Sequence, residues 1–324
     1  MAGYGMQGHA MFAFQESFHT SNVASLQALS ITEESIVLAK EQVIEQGMYG
    51  RLAESPYYNG ASTVEGDITM EASPLALDYF FKSALRTSVT TVADVTSAVT
   101  HLYTSTGSDF DELSACDPLT IEVHRDVGSA AVYYNLCGNT FTLNIANGEL
   151  LTATLGVLGG EMTRQSASSP TFPTAFPFKW DQTSLSIDGA AVFDIQDMTV
   201  TINNNLENRF TLQMSSTPYK IKRTSWQTIE LAGTFIFQAH SYWTAFIDQD
   251  YNSLVMNFAS TQAPNVLNLD FPRIKFKSFD PNMSGPGIVE APFTAQALFL
   301  PDSNTALQVT MTNTLAPLYG DPIA

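Results

Sequence analysis

Charge is scarce in this chain, and what there is has one sign. Charged residues make up 14% of the 324 positions, 14 Lys plus Arg against 32 Asp plus Glu, for a formal net charge of -18. A protein that grips nucleic acid by its phosphates needs a basic surface, so that class is excluded. Only two cysteines occur, Cys116 and Cys137, without a CxxC partner or a histidine at zinc spacing. They are expected to be reduced, partly buried thiols of a reducing cytosol. No apolar run reaches the roughly 18 residues that span a bilayer, and the opening MAGYGMQGHA lacks a basic start and an apolar stretch. Export by the usual route and membrane contact are therefore not expected. The five histidines, His9, His19, His101, His124 and His240, stand singly with no HExxH spacing, so no metal site is assigned. There is no P-loop and no GxSxG elbow. The chain reads as a non-enzyme, with no catalytic residue, no cofactor-binding residue and no cofactor.

Apolar material, by contrast, is plentiful. Hydrophobic residues make up 44% and aromatics 11%, with 21 Phe and 12 Tyr, enough for a core without staples. The polar remainder is dominated by Ser, Thr, Asn and Gln, groups that neighbours can cover at lower desolvation cost than ions. Strand patterns occupy Ile68 to Met70, Leu119 to Val123, Val132 to Tyr134, Phe141 to Ile145, Leu151 to Leu158, Met198 to Ile202, Thr228 to Phe237, Leu254 to Phe258, Ile274 to Phe279, Phe293 to Leu300 and Ala306 to Met311. Turn pairs such as Asn147-Gly148, Gly159-Gly160 and Asp188-Gly189 separate them. Two helices are expected. One opens at Ser73-Pro74 with Leu77, Phe80, Phe81 and Leu85 on one face; the other spans about Ala239 to Gln249 with Tyr242, Trp243, Phe246 and Ile247. The fold class is mainly β, two tandem β-sandwich or barrel modules, each with a flanking α-helix.

The tandem reading rests on an internal repeat. Val64 to Ala72 aligns with Leu231 to Ala239, placing Gly66 on Gly233, and each segment runs glycine, strand, helix. Upstream, Ser35 to Gln42 corresponds to Met198 to Asn205; downstream, Leu119 to Phe141 lies on Leu254 to Phe276. The first copy carries extra residues in the Ser/Thr-rich stretch 87–116, expected to be an inserted helix and surface loop. Residues 165–189 begin with the Ser/Pro-rich QSASSPTFPTAFP and read as a linker. The division is then an N-terminal arm and first strand entry (1–33), module 1 (34–164), linker (165–189), module 2 (190–314) and a C-terminal tail (315–324).

Candidate chemistry is thin. Gly3-Tyr4-Gly5-Met6-Gln7-Gly8 fits GxGxxG, but nothing precedes it to supply the strand a dinucleotide site needs, so it reads as a flexible arm. The pairs Asp109 with Asp111 and Asp248 with Asp250 lack a full calcium-loop pattern and read as solvated loops. Trp180, Trp226 and Trp243 could mark a sugar-binding face, but packing or an interface explains them more simply.

Several of these segments resemble the tail tube proteins of long-tailed phages with non-contractile tails. The resemblance is carried by Ala13 to Thr20 (AFQESFHT), Leu29 to Ile36 (LSITEESI), Phe178-Lys179-Trp180, Ser184 to Gly189 (SLSIDG) and Met198 to Leu206 (MTVTINNNL), followed by the glycine strand and helix. It spans most of the chain on degenerate patterns, and the 87–116 stretch departs from it. The resemblance implies a structural virion protein, made in the host bacterial cytoplasm, that polymerises as stacked rings around a channel. Genomic DNA and the tape measure protein would occupy the channel, with tail terminator and distal tail proteins at the ends. Family rings hold six modules, so a duplicated chain would need three copies, a pseudo-hexameric trimer, with a hexamer of chains as the alternative. The acidic surplus suits a wall that repels phosphate, and the loops after Ser35 and after Asn205, the latter within 207–225, are expected at ring-to-ring contacts. The rival readings are another tail or capsid component, such as a tail terminator or decoration protein, and a carbohydrate-binding β-sandwich or glycosidase.

Overall fold

The computed structural model describes residues 5–15, 17–18, 25–45, 47, 57–85, 87–94, 98–106, 117–212, 215–238, 241–262, 264–283 and 285–314. The first half contributes β1 (His9–Phe14), β2 (Gln27–Leu29), β3 (Glu33–Glu34), β4 (Val37–Ile44), β5 (Tyr57–Glu71), α1 (Pro74–Ala84), β6 (Thr87–Asp94), β7 (Ala98–Thr106), β8 (Leu119–His124), β9 (Ala130–Ala146), β10 (Thr152–Gly159) and β11 (Glu161–Gln165). The second contributes β12 (Thr183–Ile187), β13 (Ala190–Val192), β14 (Ile195–Asn203), β15 (Leu206–Arg209), β16 (Lys220–Arg223), β17 (Thr228–Ile236), α2 (Ser241–Asp248), β18 (Asn252–Ala259), β19 (Val266–Phe279), β20 (Glu290–Ala297) and β21 (Thr305–Asn313). Among the described residues the chain is mainly β with two α-helices, as its alternating patterns predict.

Two strands organise everything else. The amino-terminal part of β9 pairs with β8 and β11, and β8 leads on to β1 and β2. Its carboxy-terminal part pairs with β10, which leads to β5 and then β3 and β4. In the second half β19 does the same: its first part pairs with β18 and β21, and β18 leads to β12 and β13. Its last part pairs with β20, which leads to β17 and β14. The order of pairings around β9 is thus met again around β19. The halves are joined directly, because β14 pairs antiparallel with β9 from Asp197↔Ala146 to Asn203↔Thr140.

Gly66 and Gly233 occupy like places. A Cβ on Gly66, whose φ is +155°, would lie 2.5 Å from Ile36 Cα; one on Gly233 would lie 2.5 Å from the Asp197 carbonyl oxygen. Each glycine lets the neighbouring strand's backbone close in where its ladder is irregular.

The helices differ in environment. Ser73 caps α1, its side chain accepting from the Ala76 N–H at 3.4 Å, with Pro74 at the first position. Nearly every α1 residue is buried. Asp78, fully buried, accepts from Tyr103 Oη on β7 at 2.9 Å and from Asn313 Nδ2 on β21, while His101 Nε2 lies 3.6 Å away. Asn313 Nδ2 also donates to the Pro74 carbonyl at 3.2 Å, so the second half covers α1. In α2, Tyr242, Trp243 and Phe246 pack on the core as predicted, but no residue is fully buried and Ile247 is exposed.

Several expectations are corrected. The 87–116 stretch holds no helix in its described part; it forms the β6–β7 hairpin, and β7 joins β21 of the second half. The N-terminal segment is not merely an arm, because β1 is buried along its whole length between β2 and β8. Residues 165–189 are anchored: fully buried Glu122 accepts from Ser168 N and Oγ at 2.7 and 2.8 Å, Phe178 packs on Phe258, and β12 begins at Thr183. Cys137 is disulfide-bonded rather than a free thiol, and Cys116 lies outside the described residues.

Candidate functional site

One unbroken path of paired strands runs β4, β5, β10, β9, β14, β17, β20, β19. Its registers line up like residues across strands. Met70, Ala153, Leu143, Val200, Leu231, Ala295 and Phe276 form one row, and Ile68, Leu155, Phe141, Ile202, Ile229, Ala297 and Ile274 another. All are buried. Each large member contributes about 1.5–3 kcal/mol by leaving water, which fixes this face inward and the intervening rows outward.

The outward rows are polar and mostly uncharged. Thr69, Thr154, Thr142, Thr201, Glu230, Gln296 and Lys275 make one; Glu71, Thr152, Asn144, Thr199, Ala232, Thr294 and Ser278 make the next. Side chains bond along the rows: Thr69 Oγ1 to Thr154 Oγ1 at 3.0 Å, Thr199 Oγ1 to Asn144 Oδ1 at 2.9 Å, Ser278 Oγ to Thr294 Oγ1 at 2.7 Å. Strands about 4.8 Å apart make a seven-member row about 29 Å wide. The charges on this face are mainly acidic, with Glu65, Asp67, Glu71, Asp197 and Glu230 against Lys275 and Lys277, and Lys277 is held by Glu230 at 2.7 Å. Such a surface offers a passing polyanion hydrogen-bonding groups but no net attraction.

At one border the β15–β16 hairpin folds back over the first half. Leu206 and Ile221 pack on Cys137 and Leu158, Asn208 Nδ2 donates to the Gly159 carbonyl at 2.9 Å, and Ser62 N donates to the Ser216 carbonyl at 2.8 Å. Near the hairpin's turn Leu212 is fully exposed, with Phe210 and Tyr219 about half exposed. Beside the hairpin lies an open depression of about 600 Å³ lined by Glu65, Asp67, Asn139 and Glu207 among others.

The sequence candidates do not converge. Gly5 to Gln7 form a 3-10 turn leading into β1, with Gly3 and Tyr4 outside the described residues. His9 and His124 are cross-strand partners with rings 5.2 Å apart. Burial first, and then the adjacent His124, hold the His9 pKa below its ordinary value, while Glu122 pulls the other way. His101 sits with Asp78; His19, His240, Asp109 and Asp111 fall outside the described residues. Asp248 ends α2 and Asp250 lies just beyond it, both exposed. Trp180 and Trp226 are exposed, and Trp243 meets Phe237 edge-on at 6.5 Å. Among the described residues no group of three or more His, Cys, Asp or Glu is placed to hold a metal ion, and no helix is long and apolar enough to cross a membrane. The polar sheet face was missed as a site because no single residue marks it; the alternation Thr-x-Thr-x-Asn at 140–144 and Thr-x-Thr-x-Asn at 199–203 was its available signal.

A broad sheet with one buried face and one hydroxyl-rich face, and among the described residues no cluster of metal-binding side chains, suits a structural role. A family model described as phage tail tube protein matches residues 12–297, and the chain belongs to that family. No curated protein matches it.

Proposed function

We propose that the chain is a duplicated tail tube subunit whose copies close into rings that stack into a conduit for phage DNA. The outward rows of the wide sheet line the bore. The observation that carries this reading is that face: one surface, continuous through both halves, rich in Thr and Asn, whose few charges are mostly carboxylates. Phosphate is repelled by the acids and slides over groups it cannot bind as ions. The matching pairing orders around β9 and β19 support two equivalent modules per chain.

Ring size follows from strand spacing. Each chain supplies the eight strands of the wide sheet. Three copies at about 4.8 Å per strand give a wall roughly 37 Å across between backbones, before strand tilt widens it. That passes a duplex with room for side chains. Six copies would double the diameter and leave DNA unguided, so the trimer is favoured. The tape measure protein would fill the same bore before DNA, and terminator and distal tail proteins would cap the ends.

The exposed tip at Phe210 and Leu212 is the ring-to-ring contact in this reading. Asn208 and Ile221 in the same segment hold the hairpin against the first half, so point changes at the tip are better than deletion of 207–225. Negative-stain microscopy of purified protein should show hollow tubes, and Phe210→Ser with Leu212→Ser should leave separate rings. Compact unassembled particles from the unaltered protein would refute the reading.

A further inference from the structure

After β11 the chain crosses to the second half as a strap, residues 166–178, that belongs to no strand. Its far end is tied by backbone, with Phe178 N donating to the Ala72 carbonyl at 3.1 Å and Leu151 N donating to the Phe178 carbonyl at 2.9 Å. Midway, the Thr171 carbonyl accepts from Gln27 Nε2 at 3.2 Å, and Phe176 N donates to Gln262 Oε1 at 3.3 Å. Its near end hangs on one carboxylate. Glu122 accepts from Ser168 N at 2.7 Å, from Ser168 Oγ at 2.8 Å and from Gln165 Nε2 at 3.2 Å. Pro170, Pro173 and Pro177 have no N–H with which to make further ties.

That carboxylate is sealed from water beside two histidines. Glu122 is fully buried, and His9 Nε2, buried and without a hydrogen-bond partner, lies 4.0 Å from its Oε1. His9 stands opposite His124 across β1 and β8, and the backbone of Ser168 bonds His9 as well. Ser168 therefore closes over both groups at once. Other titratable groups nearby are turned elsewhere or lie further along. Arg125 binds Glu34, and Tyr133 on β9 donates to the Ile36 carbonyl. Asp126 is in the turn after β8, and β11 sets Arg164 opposite Ala131 and Glu161 opposite Tyr134. The strap, β2 and the Gly5–Gln7 turn carry none.

A histidine enclosed in this way favours its neutral form. Burial first, and then His124, depress its pKa against the opposing pull of Glu122 and of the Ser168 backbone. Lifting Ser168 away returns the ring to water and to an ordinary pKa of about 6.5. The open strap then takes up the proton more readily than the closed one, so closure is fully favoured above that pH and weakens below it.

We propose that Ser168, Glu122, His9 and His124 form a proton-sensitive clasp that holds the strap at neutral pH and releases it in acid while both halves stay folded. The clasp goes beyond the tail tube reading and does not depend on it. At about pH 5.5 an imidazole of ordinary pKa is protonated about ten to one, so His9 alone can raise opening by at most about tenfold.

Amide hydrogen exchange of the full chain at about pH 7.5 and about pH 5.5, corrected for the chemical exchange rate at each, tests the clasp. Peptides covering 165–169 should lose protection by up to about tenfold at the lower pH, while peptides covering the β9–β14 seam keep theirs. His9→Gln should abolish this pH dependence, and His124→Gln should weaken it, because the second ring helps to keep the first neutral. Glu122→Leu, which removes the acceptor, should leave the strap open at both pH values. Unchanged protection of 165–169 in the unaltered protein would overturn the clasp, as would a full pH response in either histidine variant. Equal loss of protection at the seam would overturn it too, because the event would then be unfolding of the whole chain.

Discussion

If the two halves share one core through β9 and β14, damage deep in the first half must be felt in the second. Phe80 on α1 is fully buried and meets two first-half rings, Phe12 at 6.2 Å and Phe141 at 6.4 Å between centroids. Phe80→Ala removes a whole aromatic from a packed site, at about 3–5 kcal/mol. Trp226 and Trp243 lie in the second half, whereas Trp180 sits in the 165–189 segment with its backbone N–H donating to the Glu149 carbonyl, so in a Trp180→Phe background the emission reports the second half. With a urea m-value of about 3 kcal/mol/M, the variant's tryptophan midpoint should fall by about 1 M, together with the far-UV CD midpoint. The titration should be run at protein concentrations too low for assembly, since assembly stabilises by mass action. A tryptophan transition that stays where it was, while CD splits into two steps, would mean the halves unfold independently and the seam is weak.

Two further outcomes follow from local geometry. Gly233→Val should cost about 1–3 kcal/mol, because the new Cβ would press on the Asp197 carbonyl oxygen and the Phe293 ring; a lower urea midpoint at unchanged m-value is expected, and an unchanged midpoint would argue against the close strand approach. His9 has a folded pKa below its unfolded value, so the unfolded chain binds the proton first as pH falls through about 6.5, and stability declines on acidification from there. His9→Gln should flatten that part of the stability-against-pH curve; an identical slope in the variant would place the titration elsewhere.

Strands with one wet face were legible because alternation encodes them: Met198 to Ile202 and Thr228 to Phe237 read as strands, and β14 and β17 are buried and polar in turn. β1 was not, since His9 to Phe14 is buried on both faces and shows no alternation. The single strand β9 reads as two, Val132 to Tyr134 and Phe141 to Ile145, because the pattern breaks between them; there Gly138 makes a close approach, where a Cβ would meet the Ser83 carbonyl oxygen at 2.9 Å. By contrast Asp188-Gly189, both at positive φ, is the tight turn its letters suggest, joining β12 to β13. Long-range partnerships carry no local signature. That β7 would leave its own half for β21, guided by Tyr103 and Asn313 meeting at Asp78, is decided only when residues far apart in sequence share one buried carboxylate. The disulfide at Cys137 escaped for the same reason. The polar face became visible only once seven strands were laid side by side.

The most direct test is a cryo-EM reconstruction of the assembled protein with side chains resolved on the inner wall. Thr69, Thr142, Thr154 and Thr201 should face the bore, with Glu65, Asp67 and Glu71 beside them. A tube whose inner surface is formed by β1, β8 and β18, with those threonines turned outward, would contradict it.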